Sequence, residues 1–574
     1  MSKLSPPQQN PRVRRTIGWR VFLVTLFLVF VTLFLIGRLV QLQVVEHNRW
    51  LAMASSIQER TIEVPPRRAT IYDRNGIPLA FDVKATAIAI DSFNMTKPET
   101  LIAILSEELA LPVAALEEWV YRPSYFTWIE RKVNLETARA INQRAREVSA
   151  YGLIFIDTWK RCYPEGALAS NVIGFVGIDG HGLEGVELAF DELLAGEPTQ
   201  LHVVEGADGR TYHTEIISAG EPGEKLYLTL DVRLQFICEE AIDHGVTRFK
   251  ANDGFIVLLD PRNGDVLAMA QDRRYDLNRF TESTPAQRRN LAVGFLFEPG
   301  SAFKAFSGLA ALDCGAVAVE DHFNGNDGIR VAGHTMHNAE HHSFGTVTFG
   351  QIIEDSINTG MIRVAQRLGE ERFHRFLVAA GFGQKTGIAL PGEEAGILRD
   401  VKDWSKLALA ATSIGQSVGV TGIQLARGMC AVANGGLLLT PRIVQGVGET
   451  GMKRKEPVVL RQVASATSCT TMRGLLRRVV ESGTGTLAEV EGFAVAGKTG
   501  TSQKALPGRG YVDGKYTSLF AGFLPVDEPS YLALVVLDEV KTTPVWGGYT
   551  AGQIFQEAAS RLVMVEHVPP VAMR

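Results

Sequence analysis

Three short segments of this chain set a nucleophile, amines and small turn residues at spacings that suit acyl transfer. The first is Glu298-Pro299-Gly300-Ser301-Ala302-Phe303-Lys304. Pro299 and Gly300 predict a turn, and the apolar run behind them predicts a helix over 302–311. Ser301 then stands at a helix N-terminus, where unpaired N–H groups and the dipole favour developing negative charge. Lys304 follows three residues on, one turn along the same face. Phe303, Ala305, Phe306, Leu309 and Ala310 make the helix apolar nearly all round, hence buried. A buried lysine loses solvation, its pKa falls, and it can take a proton from a serine. By itself the spacing S-x-x-K is weak, because a capping serine and a solvated lysine give the same letters.

The second segment, Asp355-Ser356-Ile357-Asn358, falls between predicted helices over 348–354 and 360–368. Ser356 could relay a proton and Asn358 could hold an amide. Alone, the segment also reads as a helix–helix turn with a capping serine. The third, Ala496-Gly497-Lys498-Thr499-Gly500-Thr501, follows a predicted strand over 493–496. Glycines around Lys498 let a ligand approach the backbone closely, and the charge with two hydroxyls suits a carboxylate. The alternative there is a phosphate-binding or plain edge turn. Gly483-Thr484-Gly485-Thr486 lacks a following lysine and reads as a turn.

The elements that must carry these residues are partly visible in the pattern. The chain has 574 residues, 46% hydrophobic and 21% charged, with a formal net charge of -5. Wholesale disorder and a collagen-like fibre are excluded, and the length predicts several units. No basic surplus argues for nucleic acid. Cys162, Cys238, Cys314, Cys430 and Cys469 are scattered without a C-x-x-C pair, which argues against a disulfide scaffold or a thiolate zinc site. Between 67 and 223, short strands (85–90) alternate with short helices (99–109, 186–194), and Asp73-Arg74-Asn75-Gly76 predicts a tight turn. From 224 the pattern predicts strands over 225–230, 254–259 and 265–270 and an amphipathic helix over 232–249. Helices dominate from 301 to 481. Strands over 493–496, 516–524 and 531–537, then a loop and helix over 545–562, close the chain. Strands at both ends predict one antiparallel sheet assembled from distant segments and covered by helices.

Residues 21–37 hold no charge and only Thr25 and Thr32 as polar residues. With Trp19 and Leu39-Val40 they suffice to span a bilayer. Lys3, Arg12, Arg14, Arg15 and Arg20 precede the span and no acid does, which predicts a cytoplasmic N-terminus and an external remainder. A cleaved signal peptide ending at Ala52-Met53-Ala54 is the rival. The apolar run is long for that, and the site lies far beyond it. Arg38 reads as a snorkelling interface residue. Residues 41–60 predict a stalk helix, ended before Val64-Pro65-Pro66.

The order S-x-x-K, S-x-N, K-T-G resembles the active site of the penicillin-recognising serine acyltransferases. Further stretches are similar to class B penicillin-binding proteins: residues 37–43, 68–80 around the Asp73 turn, Arg161-Cys162-Tyr163-Pro164, 182–187, and Ala433-Asn434-Gly435-Gly436. The approach Phe297-Glu298-Pro299-Gly300-Ser301 and residues 388–393 look more like the division (FtsI) type than the elongation type. The likeness covers nearly the whole chain. Arg68-Ala69 departs from the family's usual Arg-Gly, and the PASTA repeats of some relatives are not found.

The resemblance implies an α+β chain with five parts: a cytoplasmic tail (1–18), one transmembrane helix (19–40), a mixed α/β non-catalytic pedestal (41–223), a penicillin-binding transpeptidase domain with a central antiparallel sheet covered by helices (224–566), and a short tail (567–574). It implies that Ser301 attacks the D-Ala-D-Ala bond of a peptidoglycan stem peptide, with Lys304 as base, Ser356 as relay and Lys498 as electrostatic support. The N–H groups of Ser301 and Thr501 would form the oxyanion hole. Asn358, Thr499, Gly500 and Thr501 would hold the substrate. β-Lactams would acylate Ser301. Partners would be the polytopic glycan polymerase FtsW and other division proteins, at the outer (periplasmic) face of a bacterial cytoplasmic membrane. Arg68, Asp73, Arg74 and Glu184 are expected in buried or interdomain ion pairs. Elongation-type activity, a non-catalytic β-lactam sensor or division scaffold, and a β-lactamase are the rival readings. The last lacks an evident water-activating base.

His334, His337, His341 and His342, with Asp321 and His322 nearby, tempt a metal assignment. Residues 333–345 read as a loop, and the spacing matches no closed zinc pattern. A polar loop at the site mouth is expected, with no metal and no cofactor.

Overall fold

The computed structural model describes residues 11–50, 59–64, 66–205, 211–448, 453–506 and 510–570. It separates into two compact units, residues 1–66 with 197–221, and residues 67–196 with 222–574.

In the first unit a helix runs over Pro11–Val40, and Trp19–Val45 is long and apolar enough to cross a membrane. Its two hydroxyls turn back on the helix. Thr25 Oγ1 donates to the Val21 carbonyl at 2.9 Å and Thr32 Oγ1 to that of Leu28 at 2.8 Å, so neither enters hydrocarbon unsatisfied. At the end of the apolar run the helix loosens into a π-turn, Gln41–Val45. There a polar chain links Arg38 to Gln41, Gln41 to Glu46 and Trp50 to Glu46, as suits an interface level. The stalk expected as helix to residue 60 does not run that far. Glu59–Val64 is a strand, paired with Thr199–Glu205, which also pairs Thr211–Ser218. The distant partner strands, invisible locally, decide this. The Ala52-Met53-Ala54 site and residues 1–10 lie outside the described residues.

The second unit contains the rest of the pedestal. Pro78–Ile90 pairs with Ile71–Tyr72, Thr127–Asn134 and Leu153–Cys162. Leu226–Leu228 pairs in parallel with Ile71–Tyr72 and antiparallel with Val444–Val447. One seven-stranded sheet therefore joins segments on either side of residue 224. The predicted turn at Asp73–Gly76 forms. Asp73 is fully buried but makes no ion pair among the described residues: its carboxylate accepts the N–H groups of Asn75 and Ile77, both at 2.8 Å. Asn75 in turn donates to Asp231 at 2.8 Å, the N-cap of the next helix. Buried N–H donors satisfied this carboxylate where a cation was expected. Arg68 meets the expectation, contacting Glu187 at 2.7 Å and Asp191 at 2.6 Å. Arg161 completes the cluster, with Glu187 at 2.7 Å and Asp82 at 3.2 Å. Glu184 pairs across to Arg288 at 3.4 Å.

The catalytic-side architecture is an antiparallel sheet in the order β2-β1-β5-β4-β3, with β1 Asp253–Leu259, β2 Val266–Gln271, β3 Ala496–Leu506, β4 Gly510–Leu524 and β5 Tyr531–Asp538. Strands β1, β2 and β5 are buried along nearly their whole length, so their sequences are continuous apolar runs instead of alternating ones. Ile256, Leu258 and Val535 face helices α1 (Val232–Phe249) and α5 (Ala551–Val565). Phe255, Val257 and Leu534 share the opposite core with helices α2 (Lys304–Asp313), α3 (Asn358–Leu368) and α4 (Gly422–Ala433). Gly245 lets α1 and α5 close: a Cβ there would lie 2.2 Å from Ile554 Cδ1.

The Arg68–Glu187–Arg161 cluster gives a test. Glu187→Gln leaves two buried guanidiniums facing a neutral amide, which costs roughly 3 kcal/mol. We expect a clearly lower thermal unfolding midpoint for the full chain in detergent. An unchanged midpoint would show that the remaining acids compensate.

Candidate active site

The site forms where edge strand β3 meets the approach to α2. Lys498, Thr499, Gly500 and Thr501 lie inside β3, paired with Ala521, Phe520, Leu519 and Ser518 of β4. The sequence pattern had placed them after a strand. The strand begins at Ala496 because its partners lie in the downstream hairpin. Ser301 sits in a single 3-10 turn, Gly300–Phe303, that opens into α2. Three glycines bring these backbones together. Gly300 has φ +52, and a Cβ there would lie 2.6 Å from the Thr501 carbonyl oxygen. A Cβ on Gly500 would lie 2.6 Å from the Pro299 oxygen, and one on Gly415 2.0 Å from the Gly300 oxygen. The Gly300 N–H donates to the Gly415 carbonyl at 3.0 Å. No side chain fits in this seam.

Lys304 is fully buried at the start of α2. Its Nζ donates to the Ser356 carbonyl at 2.5 Å and to Asn358 Oδ1 at 2.6 Å, and lies 3.2 Å from Ser356 Oγ. A neutral amine has two N–H groups and one lone pair. Two acceptor-only carbonyls take the N–H groups, which leaves the lone pair for a hydroxyl. Ser356 reaches this position with φ +58, a conformation that costs a non-glycine residue roughly 1–3 kcal/mol. The strain turns its carbonyl onto the lysine.

Lys498 is also fully buried, and its Nζ lies 3.5 Å from Thr499 Oγ1. Burial pulls its pKa down to about 7, partly offset by the Asp355 carboxylate. Burial holds the Lys304 pKa well below the usual lysine range, and the nearby Lys498 charge pushes the same way. The Asp355 carboxyl is raised by burial, and next by the Glu354 charge.

A cleft of about 530 Å³ opens over these groups, lined by Ser301, Ser356, Asn358, Thr499 and Thr501 among others. The structure thus collects Ser301, Lys304, Ser356, Asn358, Lys498, Thr499, Gly500 and Thr501 in one place. It adds residues that motif reading missed. Thr484 Oγ1 lies 2.8 Å from Thr499 Oγ1, and Thr501 Oγ1 accepts the Gly547 N–H at 2.9 Å. Trp546 and Tyr549 form an aromatic wall. The pair Gly547-Gly548 was a usable signal: Cβ atoms there would lie 2.3 Å from the Gly500 oxygen and 2.1 Å from the Thr484 oxygen. Gly492 to Thr499 also spell G-x-x-x-x-G-K-T, the letters of a phosphate-binding loop. That loop needs a helix behind its lysine, whereas Lys498 continues an antiparallel edge strand and is buried.

The histidine loop is not wholly irregular. Ile329–Val331 and His334–Met336 form a small hairpin, and a short 3-10 turn spans Ala339–His341. Asp321 is not its acid, being 2.9 Å from Arg367. Asp327 takes that place, 2.8 Å from His337 and 3.0 Å from His341.

Comparison with known proteins bears on this geometry. Residues 254–560 match the penicillin-binding protein transpeptidase domain, and residues 63–228 the penicillin-binding protein dimerisation domain. The chain is 32% identical to stage V sporulation protein D of Bacillus subtilis, over 94% of this chain and 84% of the relative. It is also 32% identical to the probable peptidoglycan D,D-transpeptidase PbpC of Pseudomonas aeruginosa, over 96% of each. Among solved structures, penicillin-binding protein 3 of Mycobacterium tuberculosis in complex with aztreonam superposes with a TM-score of 0.69 at 29% identity, over 89% of this chain and 98% of that one. A serine at a helix start, a buried amine and a K-T-G edge strand, in a chain matched almost end to end, place this protein among the class B penicillin-binding proteins, the peptidoglycan D,D-transpeptidases of the serine acyltransferase kind.

Proposed function

We propose that Ser301 is the nucleophile of a two-step acyl transfer that cross-links stem peptides during septal wall synthesis. The supporting observation is Lys304: fully buried, held by two carbonyls, and one helical turn from Ser301. Lys304 takes the Ser301 proton as Oγ attacks the carbonyl between two terminal D-alanines. The N–H groups of Ser301 and Thr501 hold the oxyanion, each donor of this kind being worth roughly 3 kcal/mol. The C–N bond then breaks, and D-alanine leaves with a proton passed through Ser356. Lys498 tunes that relay by its charge. Thr499, Gly500 and Thr501 hold the terminal carboxylate along the edge strand, and Asn358 the peptide amide. An amine of a neighbouring stem attacks the acyl carbon, Lys304 accepts its proton and returns it to Ser301 Oγ as the ester C–O bond breaks. A penicillin follows the first step and stays. The transfer itself uses no metal or cofactor.

The basic N-terminus stays in the cytoplasm, the pedestal (41–223) carries no chemistry, and the transpeptidase domain (224–566) acts outside. The septal assignment, with FtsW as membrane partner, rests on the FtsI-like residues 297–301 and 388–393.

Intact-mass measurement of the full chain in detergent after a short penicillin pulse tests the mechanism. We expect one persistent adduct per chain, absent in Ser301→Ala. An adduct lost within seconds would favour hydrolysis, and none at all would leave a membrane-anchored scaffold. Lys304→Met should slow acylation by roughly 10²–10⁴-fold.

The pH profile carries a separate test. The base must be neutral, so the acylation rate rises with pH and levels off well below the ordinary lysine range. Lys498→Met removes a like charge, so the midpoint moves to higher pH. A midpoint moving down would contradict the coupling of the two amines.

A further inference from the structure

The loop over 325–345 converges three metal-ligating side chains at the lip of the cleft. Asp327 Oδ2, His337 Nδ1 and His341 Nδ1 are mutual neighbours, at 2.8 Å (Asp327–His337), 3.0 Å (Asp327–His341) and 3.0 Å (His337–His341). Zn–N and Zn–O bonds of roughly 2.0–2.1 Å in a tetrahedral site set ligand atoms about 3.3 Å apart. The observed triangle is smaller by only a few tenths of an ångström. Protons serve it poorly. Two ring nitrogens at 3.0 Å can share one hydrogen between them, and the same carboxylate oxygen faces both. One cation satisfies all three lone pairs at once.

The surroundings are those of a built ligand set. The other carboxylate oxygen, Asp327 Oδ1, accepts the Asn338 N–H at 2.7 Å, which fixes the carboxylate orientation. Glu340 and His341 hold φ +52 and +57, two adjacent non-glycine residues in the left-handed region. That backbone strain sits in the turn that swings His341 onto His337. The same loop is bonded to the catalytic machinery. The His337 carbonyl accepts from Asn358 Nδ2 at 2.8 Å, and Asn338 Oδ1 accepts the Thr359 N–H at 3.0 Å. Asn338 and Glu340 line the cleft itself.

We propose that Asp327, His337 and His341 bind one first-row divalent transition metal ion, with zinc the best fit. Water or a mobile acid completes the tetrahedron. Two imidazoles and one carboxylate suit such an ion over calcium or magnesium, which take all-oxygen sets. The ion is structural. It pins the 325–345 loop and, through the His337 carbonyl, steadies the Asn358 amide that accepts from Lys304. The acyl chemistry stays with Ser301.

Co2+ titration of the chelator-treated full chain in detergent tests the site. The expected result is one Co2+ per chain with the strong visible bands of four-coordinate cobalt, displaced by Zn2+. His337→Ala, His341→Ala and Asp327→Asn should each weaken binding by roughly a hundredfold. Unchanged Co2+ affinity in the His337→Ala/His341→Ala double variant would place the ion elsewhere and overturn the proposal. So would octahedral-type weak bands in the parent. Metal-free unfolding midpoints of parent and variants, compared directly, separate lost ligands from lost fold. The binding readout is independent of the acyl-transfer reading. A second readout rests on it: zinc should speed penicillin acylation several-fold in the parent and leave the double variant unmoved. Equal acceleration in both would remove the link to Asn358.

Discussion

Two fully buried lysine amines lie beneath one cleft, and much of the structure around them follows from that fact. Neither Lys304 nor Lys498 has exposed surface. Neither has a carboxylate in direct contact among the described residues, Asp355 acting on Lys498 only through space. Two charges so placed repel and lack solvation, so the folded chain favours neutral amines. The unfolded chain does not. It holds protons up to the ordinary lysine value, so the Lys498 contribution to stability rises with pH from about 7 toward 10.5. At neutral pH the arrangement costs stability. What it supplies is an amine with a free lone pair beside a serine, which no solvated lysine offers.

Holding such a pair requires polar groups that accept hydrogen bonds without adding charge. The Ser356 carbonyl and the Asn358 amide meet that need, and the left-handed Ser356 backbone is the local cost. It also requires that strand and helix meet without intervening side chains. Gly300, Gly415 and Gly500 make that contact possible, and Gly547-Gly548 extend it to the aromatic wall. Ser301 thus stands on a short 3-10 turn whose position is fixed by the backbones of the Gly415 loop and of β3.

The pedestal reaches the catalytic fold through groups that need no flexibility. One sheet joins Ile71–Tyr72 to Leu226–Leu228 and Val444–Val447. The Asp73 turn ties to the cap of α1 through Asn75 and Asp231. Tyr163 and Asn278 exchange two hydrogen bonds, at 3.0 and 2.8 Å.

Local sequence determined what local physics can enforce. The uncharged run of residues 21–37, the helix Val232–Phe249, the Asp73–Gly76 turn and the burial of Lys304 all follow from composition or periodicity within one segment. The ordered motif triplet announced the chemistry, because few other uses combine those residue types. Tertiary structure decided the rest. Strand Ala496–Leu506 begins where its hairpin partner permits, not where its own apolar run ends. Glu59–Val64 is a strand only because distant strands pair with it. Thr484, from a run that reads as a plain turn, and Trp546 both line the cleft. The acid facing the histidines is Asp327, not Asp321, because a small hairpin folds the chain back onto it. Some of these partners are the next strand or turn of a hairpin and others lie far along the chain, but in each case only folding brings them into contact.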